Sequence, residues 1–285
     1  MKFNSHKIFC TKCGHRYDDC LSECPKCHQK NRYLNPITQK TNIFWLDPLR
    51  QGMLFAVGFL GFQFVIMLFS VMFTIIAKTS LGDPILVEEY LRSSHVNMSL
   101  NLLCYISVFI AIIIIVWPFL NQLFAQFVKG KTWLYGLVGG VVLIFSSIIY
   151  GQLINLVYPT EGNVNQENVT NLIALYPFAS ILLFGFAGPI VEEFTYRLGC
   201  FSFLRRWNRL AAYILTILIF GLIHFNWQFT ETEELINELI NLPTYIIAGG
   251  VLCFIYEKSS WAGSSIAHIV NNLYACVVTL ILANL

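Results

Sequence analysis

Charged residues are scarce in this chain, and several familiar sequence signals are missing from it. Asp, Glu, Lys and Arg make up 12% of the 285 residues, against ~25% in soluble domains. The net charge is only +2, so nothing indicates a nucleic-acid-binding surface. No basic segment followed by an apolar one opens the chain, and we therefore expect no cleavable signal peptide. No internal repeat is visible, which disfavours a transporter built from inverted repeats.

Apolar residues are abundant and are grouped into long segments. They make up 56% of the chain, and the mean hydropathy is +0.62. Most of the segments are near or above the ~20 residues that a helix needs to cross a bilayer. We therefore predict an all-α polytopic membrane protein with about seven transmembrane helices over residues 51–285. The predicted spans are 52–77, 101–127, 133–158, 172–200, 210–225, 242–256 and 265–282, of which the fifth and sixth are short.

Cysteines are concentrated at the start of the chain. Cys10 and Cys13 form one CxxC pair and Cys24 and Cys27 form a second, with ten residues between the pairs. Two such pairs can present four thiolates tetrahedrally, which is the arrangement that structural Zn²⁺ requires. We therefore predict a zinc ribbon over residues 1–33. Two disulfides are the alternative, and these would need an oxidising compartment.

A polar segment over residues 34–50 is interpreted as a linker between the ribbon and the membrane domain. It contains the breakers Asn35-Pro36 and Asp47-Pro48. Phe44 and Trp45 are expected to lie in an interfacial turn at the lipid headgroups. Cys20 is left over from the ribbon pattern and is predicted to be a free thiol.

Basic residues alternate between loops and predict the orientation in the membrane. The two loops before the sixth span and before the fourth contain Glu but no Lys or Arg. The positive-inside rule therefore places the N-terminus in the cytosol and, with seven spans, the C-terminus outside the cell membrane. A cytosolic ribbon is reduced, which favours zinc over disulfides. The loops assigned to the cytosol carry Arg50, Lys129, Lys131, Arg205, Arg206, Arg209 and Lys258.

Three of the apolar segments carry polar side chains, although each charge at the bilayer centre costs at least ~2.5–3.5 kcal/mol. At a rise of ~1.5 Å per helical residue from the basic loops, these groups lie roughly 15–22 Å from the cytosolic edge. Because three segments bring polar groups to a similar depth, we infer that they form one site. The residues are Glu192, Glu193 and Arg197 in the fourth span, His224 in the fifth, and His268 and Asn272 in the seventh.

Spacing within each segment predicts which side chains share a helix face. Glu193 and Arg197 are four residues apart and can pair, whereas Glu192 is turned ~100° away from Glu193. One carboxylate is then held by the arginine, and the other can act in proton transfer. His268 and Asn272 are also four residues apart and should present two hydrogen-bonding groups side by side.

Neighbouring residues refine this site. Phe220 and His224 share a face, so the ring is expected to pack beside the imidazole. Gly188-Pro189 predicts a break or kink that opens room for water or substrate. Ser264 and Ser265 lie at an expected helix start and are interpreted as caps, so no nucleophilic serine is predicted. The acidic residues from Glu231 to Glu238 are interpreted as a solvated face.

The three motifs EExxxR, FxxxH and HxxxN, in this order on membrane helices, resemble the CPBP family of CAAX proteases and bacteriocin-processing enzymes, also called the Abi family. The resemblance covers about residue 177 to the C-terminus, within a motif-bearing core of 172–285. One departure is visible. The family usually has glycine directly after the arginine, whereas Leu198 precedes Gly199 here, which bears on local helix packing.

The resemblance implies an intramembrane endopeptidase that cleaves a membrane-associated protein or peptide. Glu192 then corresponds to the general base that activates a water, and His224 to the residue that orients this water. His268 and Asn272 correspond to the pair that stabilises the oxyanion. The supporting residues implied are Glu193, Arg197 and Phe220.

Other interpretations stay open from the sequence. Glu192, His224 and His268 would also suit a catalytic zinc with an open position for water, although the absence of HExxH and the presence of Asn272 favour a metal-free mechanism. A non-proteolytic scaffold or immunity-type regulator could keep the same residues for stability. The expected partners are the lipid bilayer, a membrane-associated substrate that is prenylated or not, and a cytosolic protein that the ribbon could bind.

Overall fold

The computed structural model of the protein describes residues 7–10, 12–18, 21–31, 43–158 and 164–283. Two short strands, β1 (Lys7–Phe9) and β2 (Arg16–Asp18), form an antiparallel pair at the start of the chain. The predicted free thiol at Cys20 and most of the predicted linker, residues 34–42, lie outside the described residues.

From Pro48 onward the described chain is almost entirely helical, which confirms the predicted all-α polytopic membrane fold. Within the described residues, six helices are long and apolar enough to cross a membrane: α1, α3, α4, α6, α8 and α9. The helices are α1 (Pro48–Leu81), α2 (Pro84–Arg92), α3 (Ser94–Val128), α4 (Gly130–Val157), α5 (Val164–Leu175), α6 (Pro177–Arg205), α7 (Arg209–Leu222), α8 (Thr232–Ser259) and α9 (Trp261–Ala283).

The fifth predicted span corresponds to α7, which is shorter than the others. Its 14 residues rise by ~21 Å, less than the ~30 Å of a bilayer core. The fourth span begins later than predicted, because Leu172 and Ile173 belong to α5 and the chain turns at Tyr176 before Pro177 opens α6.

The sixth predicted span corresponds to α8, which begins ten residues earlier than expected and includes most of the acidic run. Glu238 in this run is only 2% exposed. Its carboxylate accepts hydrogen bonds from the backbone N–H groups of Val164 and Asn226, at 3.1 and 3.0 Å. The prediction of a solvated acidic face is therefore wrong at Glu238, because this side chain accepts hydrogen bonds from two backbone amides inside the fold.

The segment before α1 packs against the helices. The Phe44 ring lies 6.2 Å from that of Phe119, and the guanidinium of Arg206 lies 5.1 Å from the Trp45 ring. Leu46 is fully buried, and Asp47 caps α1 by accepting the backbone N–H of Arg50. The end of the predicted linker is thus packed against the helices.

Helix α6 lies at the centre of the bundle. Nine consecutive residues, Glu193–Phe201, are buried, which requires neighbours on every side of the helix. Its apolar side chains share one core cluster with residues from five other helices. Those residues include Leu54 of α1, Ile112 of α3, Ala212 of α7, Tyr256 of α8 and Trp261 of α9.

The backbone of α6 changes helix type around Pro189. A π-helical segment (Ile181–Ala187) precedes one α-helical turn (Gly188–Glu192), and a second π-helical segment (Glu193–Phe201) follows. Proline has no N–H and its ring crowds the preceding turn, and a wide turn of this kind accommodates it. Helical structure therefore continues through the point where a break or kink was predicted.

Gly199 lets α1 approach α6 closely. A Cβ atom at this position would lie 2.9 Å from the backbone nitrogen of Phe55 and 3.2 Å from the carbonyl oxygen of Gln51. The glycine that is displaced by one position from the family pattern thus has its own packing role here.

Replacement of Gly199 by alanine should destabilise the protein, because the backbone of α1 has to move away. We expect a loss of ~1–3 kcal/mol, as for other overpacked cores, seen as a lower thermal unfolding midpoint of the detergent-purified protein. Gly52→Ala is the matched control, since a Cβ atom added there would have no neighbour within 4 Å. An unchanged midpoint for Gly199→Ala would contradict the close approach.

Candidate functional site

A cavity of about 660 Å³ opens between the helices, and all three sequence motifs reach it. Its inner part is lined by buried residues, among them Phe220 and His268, which are 2% and 6% exposed. The structure thus brings together the residues that were predicted to share one site. Those lining the cavity are Glu192, Phe220, His224, His268 and Asn272.

A buried ion pair supports the site from α6. Arg197 and Glu193 are both fully buried, and Arg197 Nη1 lies 3.3 Å from Glu193 Oε1. The same carboxylate oxygen lies 3.0 Å from Nδ1 of His268. Glu193 therefore links the arginine on its own helix to the histidine on α9.

Glu192 has a different environment from its neighbour Glu193. Its Oε2 lies 3.8 Å from Nε2 of His268. Among the residues that the structure describes, no hydrogen-bond donor contacts this buried oxygen. The two adjacent carboxylates are thus separated into one that is held by partners and one that faces the cavity.

His224 is fixed by its backbone and by two rings. Its Nδ1 lies 2.8 Å from the carbonyl oxygen of Phe220, and because a carbonyl can only accept, Nδ1 carries the proton and Nε2 is an acceptor. The imidazole stacks on Tyr245 with the ring centres 4.3 Å apart. The Phe220 ring lies 5.0 Å from the His224 ring, as its position on the same face predicted.

Asn272 is oriented by a contact that the sequence did not reveal. Its Nδ2 donates to the carbonyl oxygen of Phe184 on α6 at 2.9 Å, and its Oδ1 accepts from Asn271 at 3.1 Å. An amide group has two N–H donors, so one can serve the Phe184 carbonyl while the other is directed elsewhere.

The structure differs from the sequence predictions at two serines on α9 and at one tyrosine on α8. Ser264 and Ser265 lie inside α9, which already begins at Trp261, so they are not helix caps. The Ser264 hydroxyl donates to the carbonyl oxygen of Trp261 at 3.1 Å. Tyr245 was missed because it lies on α8, which carries no motif, and only the tertiary structure brings its ring onto His224.

The four predicted ribbon cysteines form a compact group. Their sulfur atoms all lie within 4.8 Å of one another, with Cys10 and Cys27 at 3.5 Å and Cys13 and Cys24 at 3.7 Å. A tetrahedral zinc site with bonds of ~2.3 Å separates its sulfurs by ~3.8 Å. The cysteines are free thiols and could hold a metal ion.

The two halves of the ribbon have matching backbone geometry. In each half the amide of the residue after the second cysteine donates to the carbonyl of the first, Gly14 to Cys10 and His28 to Cys24, both at 2.9 Å. Gly14 and His28 have positive φ angles of 68° and 56°. The sequence signalled only the glycine, because histidine rarely adopts this conformation.

The Cys10 sulfur is prepared for metal binding. Partial burial opposes its ionisation, but hydrogen bonds from the backbone amides of Lys12 and Cys13 prevail and lower the pKa of the thiol to about 6. Since the thiolate is the form that binds metals, this cysteine is ionised at neutral pH.

Comparison with known proteins agrees with the motifs. Residues 174–274 match the family model "Type II CAAX prenyl endopeptidase Rce1-like". The matched segment contains every motif residue of the site and covers about a third of the chain. It confirms the family resemblance and indicates that the protein is an intramembrane peptidase.

One curated protein is similar to the chain at low sequence identity. The chain is 22% identical over 206 residues to the UPF0177 protein YvdC of Lactococcus lactis subsp. lactis (strain IL1403), a region that covers 70% of this chain and 74% of that protein. No solved structure matches the chain.

Removal of the buried arginine should impair folding more than chemistry. Arg197→Met leaves Glu193 charged and without its cation, which costs ~3–5 kcal/mol for buried pairs. We expect a clear fall in the yield of monodisperse protein on size-exclusion chromatography. The double variant Glu193→Gln/Arg197→Met should recover much of this yield, because neutral replacements of buried ion pairs are tolerated.

The exposed pair on α2 provides the matched control. Arg92 and Glu88 have the same four-residue spacing and lie 2.7 Å apart, but both side chains are mostly exposed. Arg92→Met should therefore leave the yield unchanged. Equal losses from Arg92→Met and Arg197→Met would show that burial of the ion pair is not what matters.

Proposed function

We propose that the protein is an endopeptidase in which Glu192 is the general base that activates a water molecule. The observation that carries this proposal is the contrast between two adjacent carboxylates. Glu193 is engaged through its Oε1 by Arg197 and His268, whereas the Glu192 side chain lines the cavity and its buried Oε2 has no hydrogen-bond donor among the described residues. Pairs of carboxylates in unlike environments commonly divide acid–base roles between them.

His224 is suited to orient the attacking water. Since its Nδ1–H donates to the Phe220 carbonyl, Nε2 can accept a hydrogen bond from the water. Glu192 would take the other proton from this water. Stacking on Tyr245 holds the imidazole plane during this step.

His268 and Asn272 are suited to stabilise the oxygen that becomes negative when the peptide carbonyl is attacked. Glu193 accepts the proton on Nδ1 of His268, so Nε2 donates only when the imidazole carries two protons. The carboxylates of Glu192 and Glu193, 3.8 and 3.0 Å away, balance this positive charge. The second N–H of the Asn272 amide supplies the other donor.

The resulting reaction is a hydrolysis. Water loses a proton to Glu192 and its oxygen bonds to the peptide carbonyl carbon, giving a tetrahedral oxyanion held by His268 and Asn272. Collapse of this intermediate breaks the C–N bond, and the proton on Glu192 passes to the leaving nitrogen. A new carboxyl end and a new amino end are released.

A zinc-dependent form of the same reaction is the second candidate. The Nδ1 atoms of both His224 and His268 are held by oxygen atoms, as is usual for histidines that bind zinc through Nε2. Among the described residues, however, only the four cysteines bring three or more ligand atoms within 4.8 Å of one another. This supports the metal-free mechanism.

We further propose that the cysteine group is a structural zinc ribbon over residues 1–33, joined by residues 34–50 to a membrane domain over 51–285. The sulfur spacing and the reduced environment expected in the cytosol support zinc. The alternation of basic loops supports a cytosolic N-terminus and an extracytoplasmic C-terminus.

Loss of the general base should abolish proteolysis but not folding. Glu192→Gln keeps the side-chain shape, and we expect the cleavage rate to fall by ~10²–10⁴-fold while the protein still inserts. Asn272→Ala should cost ~10²–10³-fold as an oxyanion donor. New peptide amino ends are to be compared by mass spectrometry in membranes from cells with each variant.

Glu233→Gln changes the same group at an exposed position on α8 and is the control. It should leave the pattern of new amino ends unchanged. Wild-type cleavage by the Glu192→Gln protein would refute the proposed base. Full biological activity of this variant, with no new amino ends that depend on Glu192, would favour a non-proteolytic scaffold.

Metal content separates the two mechanisms in the full-length protein. The metal-free mechanism predicts one zinc per chain and none in Cys13→Ser/Cys24→Ser, because two ligands of the ribbon are lost. Cys20→Ser should keep its zinc. A second zinc in the wild-type protein that disappears in His224→Ala, with activity lost to chelators, would establish the metalloprotease instead.

A further inference from the structure

The cavity is lined by amide side chains and has very few charges. Apart from Glu192 and the two histidines, its described lining contains no ionisable acid or base other than tyrosine and cysteine, and it contains neither Lys nor Arg. Amides offer both donors and acceptors, which match the N–H and C=O groups of a polypeptide backbone. The lining amides are Asn97, Asn101, Asn155, Asn165, Gln166, Asn168, Asn241, Asn271 and Asn272.

The mouth of the cavity lies at the end of the bundle away from the basic loops. Asn155, near the end of α4, and Asn168 on α5 are exposed, whereas Leu143 deeper along α4 is buried. Lys131 at the start of α4 is 24 residues before Asn155, which corresponds to ~36 Å along the helix. This exceeds the ~30 Å thickness of a bilayer core.

The depth of the cavity suits several residues of extended chain. Leu143 and Asn155 both line it and are twelve residues apart on α4, which is a rise of ~18 Å. Extended chain advances by ~3.3–3.6 Å per residue. The cavity can therefore hold about five residues between its mouth and the level of the motifs.

The charges around the mouth disfavour a free carboxylate. Glu167 on α5, Glu231 just before α8 and Glu233 in the first turn of α8 are exposed on the same side of the bundle. A terminal carboxylate would need a cation of its own. The described lining of the cavity contains no Lys or Arg, and the charge on His268 is already balanced by Glu192 and Glu193. A segment within a chain carries no such charge.

We propose that the cavity receives an extended, uncharged segment from the interior of a polypeptide, which enters from the membrane side opposite the ribbon. On the proposed topology this is the extracytoplasmic side. The inference rests on the proposed peptidase function and names its substrate class. The substrate is recognised through its backbone amides and not through a terminal carboxylate.

The side of entry can be tested in intact cells. Asn155→Cys and Asn168→Cys should react with a membrane-impermeant maleimide added outside. Lys131→Cys should react only after permeabilisation, because it lies at the other end of α4. Labelling of Lys131→Cys from outside, with Asn155→Cys and Asn168→Cys protected until permeabilisation, would overturn the inference about the side of entry whether or not the protein is a peptidase.

The substrate class can be tested on cleavage sites that disappear in Glu192→Gln membranes. We expect these sites on the extracytoplasmic side, with several residues of chain on both sides of each cut. A ten-residue peptide that spans a mapped cut should be cleaved equally with a free or an amidated C-terminus. Glu192-dependent cuts in cytosolic segments, or cleavage at least tenfold faster with the free carboxylate, would overturn the proposed substrate class while leaving the peptidase function intact.

Asn101→Leu tests recognition by the amides. Asn101 lines the cavity on α3, and its Nδ2 contacts Asn97 on the same helix. Loss of one backbone contact should raise KM for the spanning peptide by ~3–10-fold with little change in kcat. A fall in kcat of the same size, with KM unchanged, would contradict a binding role for the Asn101 amide.

Discussion

The site depends on one buried cation. Arg197 is fully buried, and its guanidinium lies 4.3 Å from the centre of the Phe220 ring. A buried positive charge needs a nearby negative charge, and Glu193 supplies it, with its Oε1 3.3 Å from Nη1 of Arg197. The same Oε1 atom also accepts a hydrogen bond from Nδ1 of His268. Helices α6, α7 and α9 are therefore tied together by the requirements of a single arginine. Because the arginine and the histidine are both directed to Glu193, the neighbouring carboxylate of Glu192 is left to face the cavity.

Helical periodicity predicted most of the contacts between residues that are close in the sequence, although His224 lies in the turn just after the end of α7 at Leu222. The pairing of Glu193 with Arg197 and the packing of Phe220 beside His224 both follow from four-residue spacing. Contacts between helices were harder to foresee, since they depend on how the helices cross. The stacking of Tyr245 on His224 belongs to this class. No sequence motif indicates it, because Tyr245 lies on α8 whereas His224 lies in the turn after α7, and an aromatic residue in an apolar helix is commonly a packing residue.

Backbone groups account for the other missed contacts. The carbonyl of Phe184 accepts from Asn272, and the amides of Val164 and Asn226 donate to Glu238. Every residue except proline carries the same backbone donor and acceptor, so a sequence does not show which of them will seek a side-chain partner. The π-helical segments on either side of Gly188–Glu192 were also missed because they depend on how backbone groups are paired. Pro189 predicted a break or kink in α6. In the structure α6 is packed on all sides, and the helix continues through Pro189 with wider, π-helical turns.

The arginines that predicted the orientation also hold the helices together. Arg205 and Arg209 both bind the carboxylate of Glu257 on α8, at 2.8 and 2.7 Å. Arg206 binds the side chain of Gln51 at 2.7 Å and the carbonyl of Leu46. The positive-inside rule acts during insertion, when these charges are still in solvent, whereas the ion pairs form only after the helices meet. One group of residues can therefore carry an orientation signal and then secure α6 at the end farthest from the mouth of the cavity.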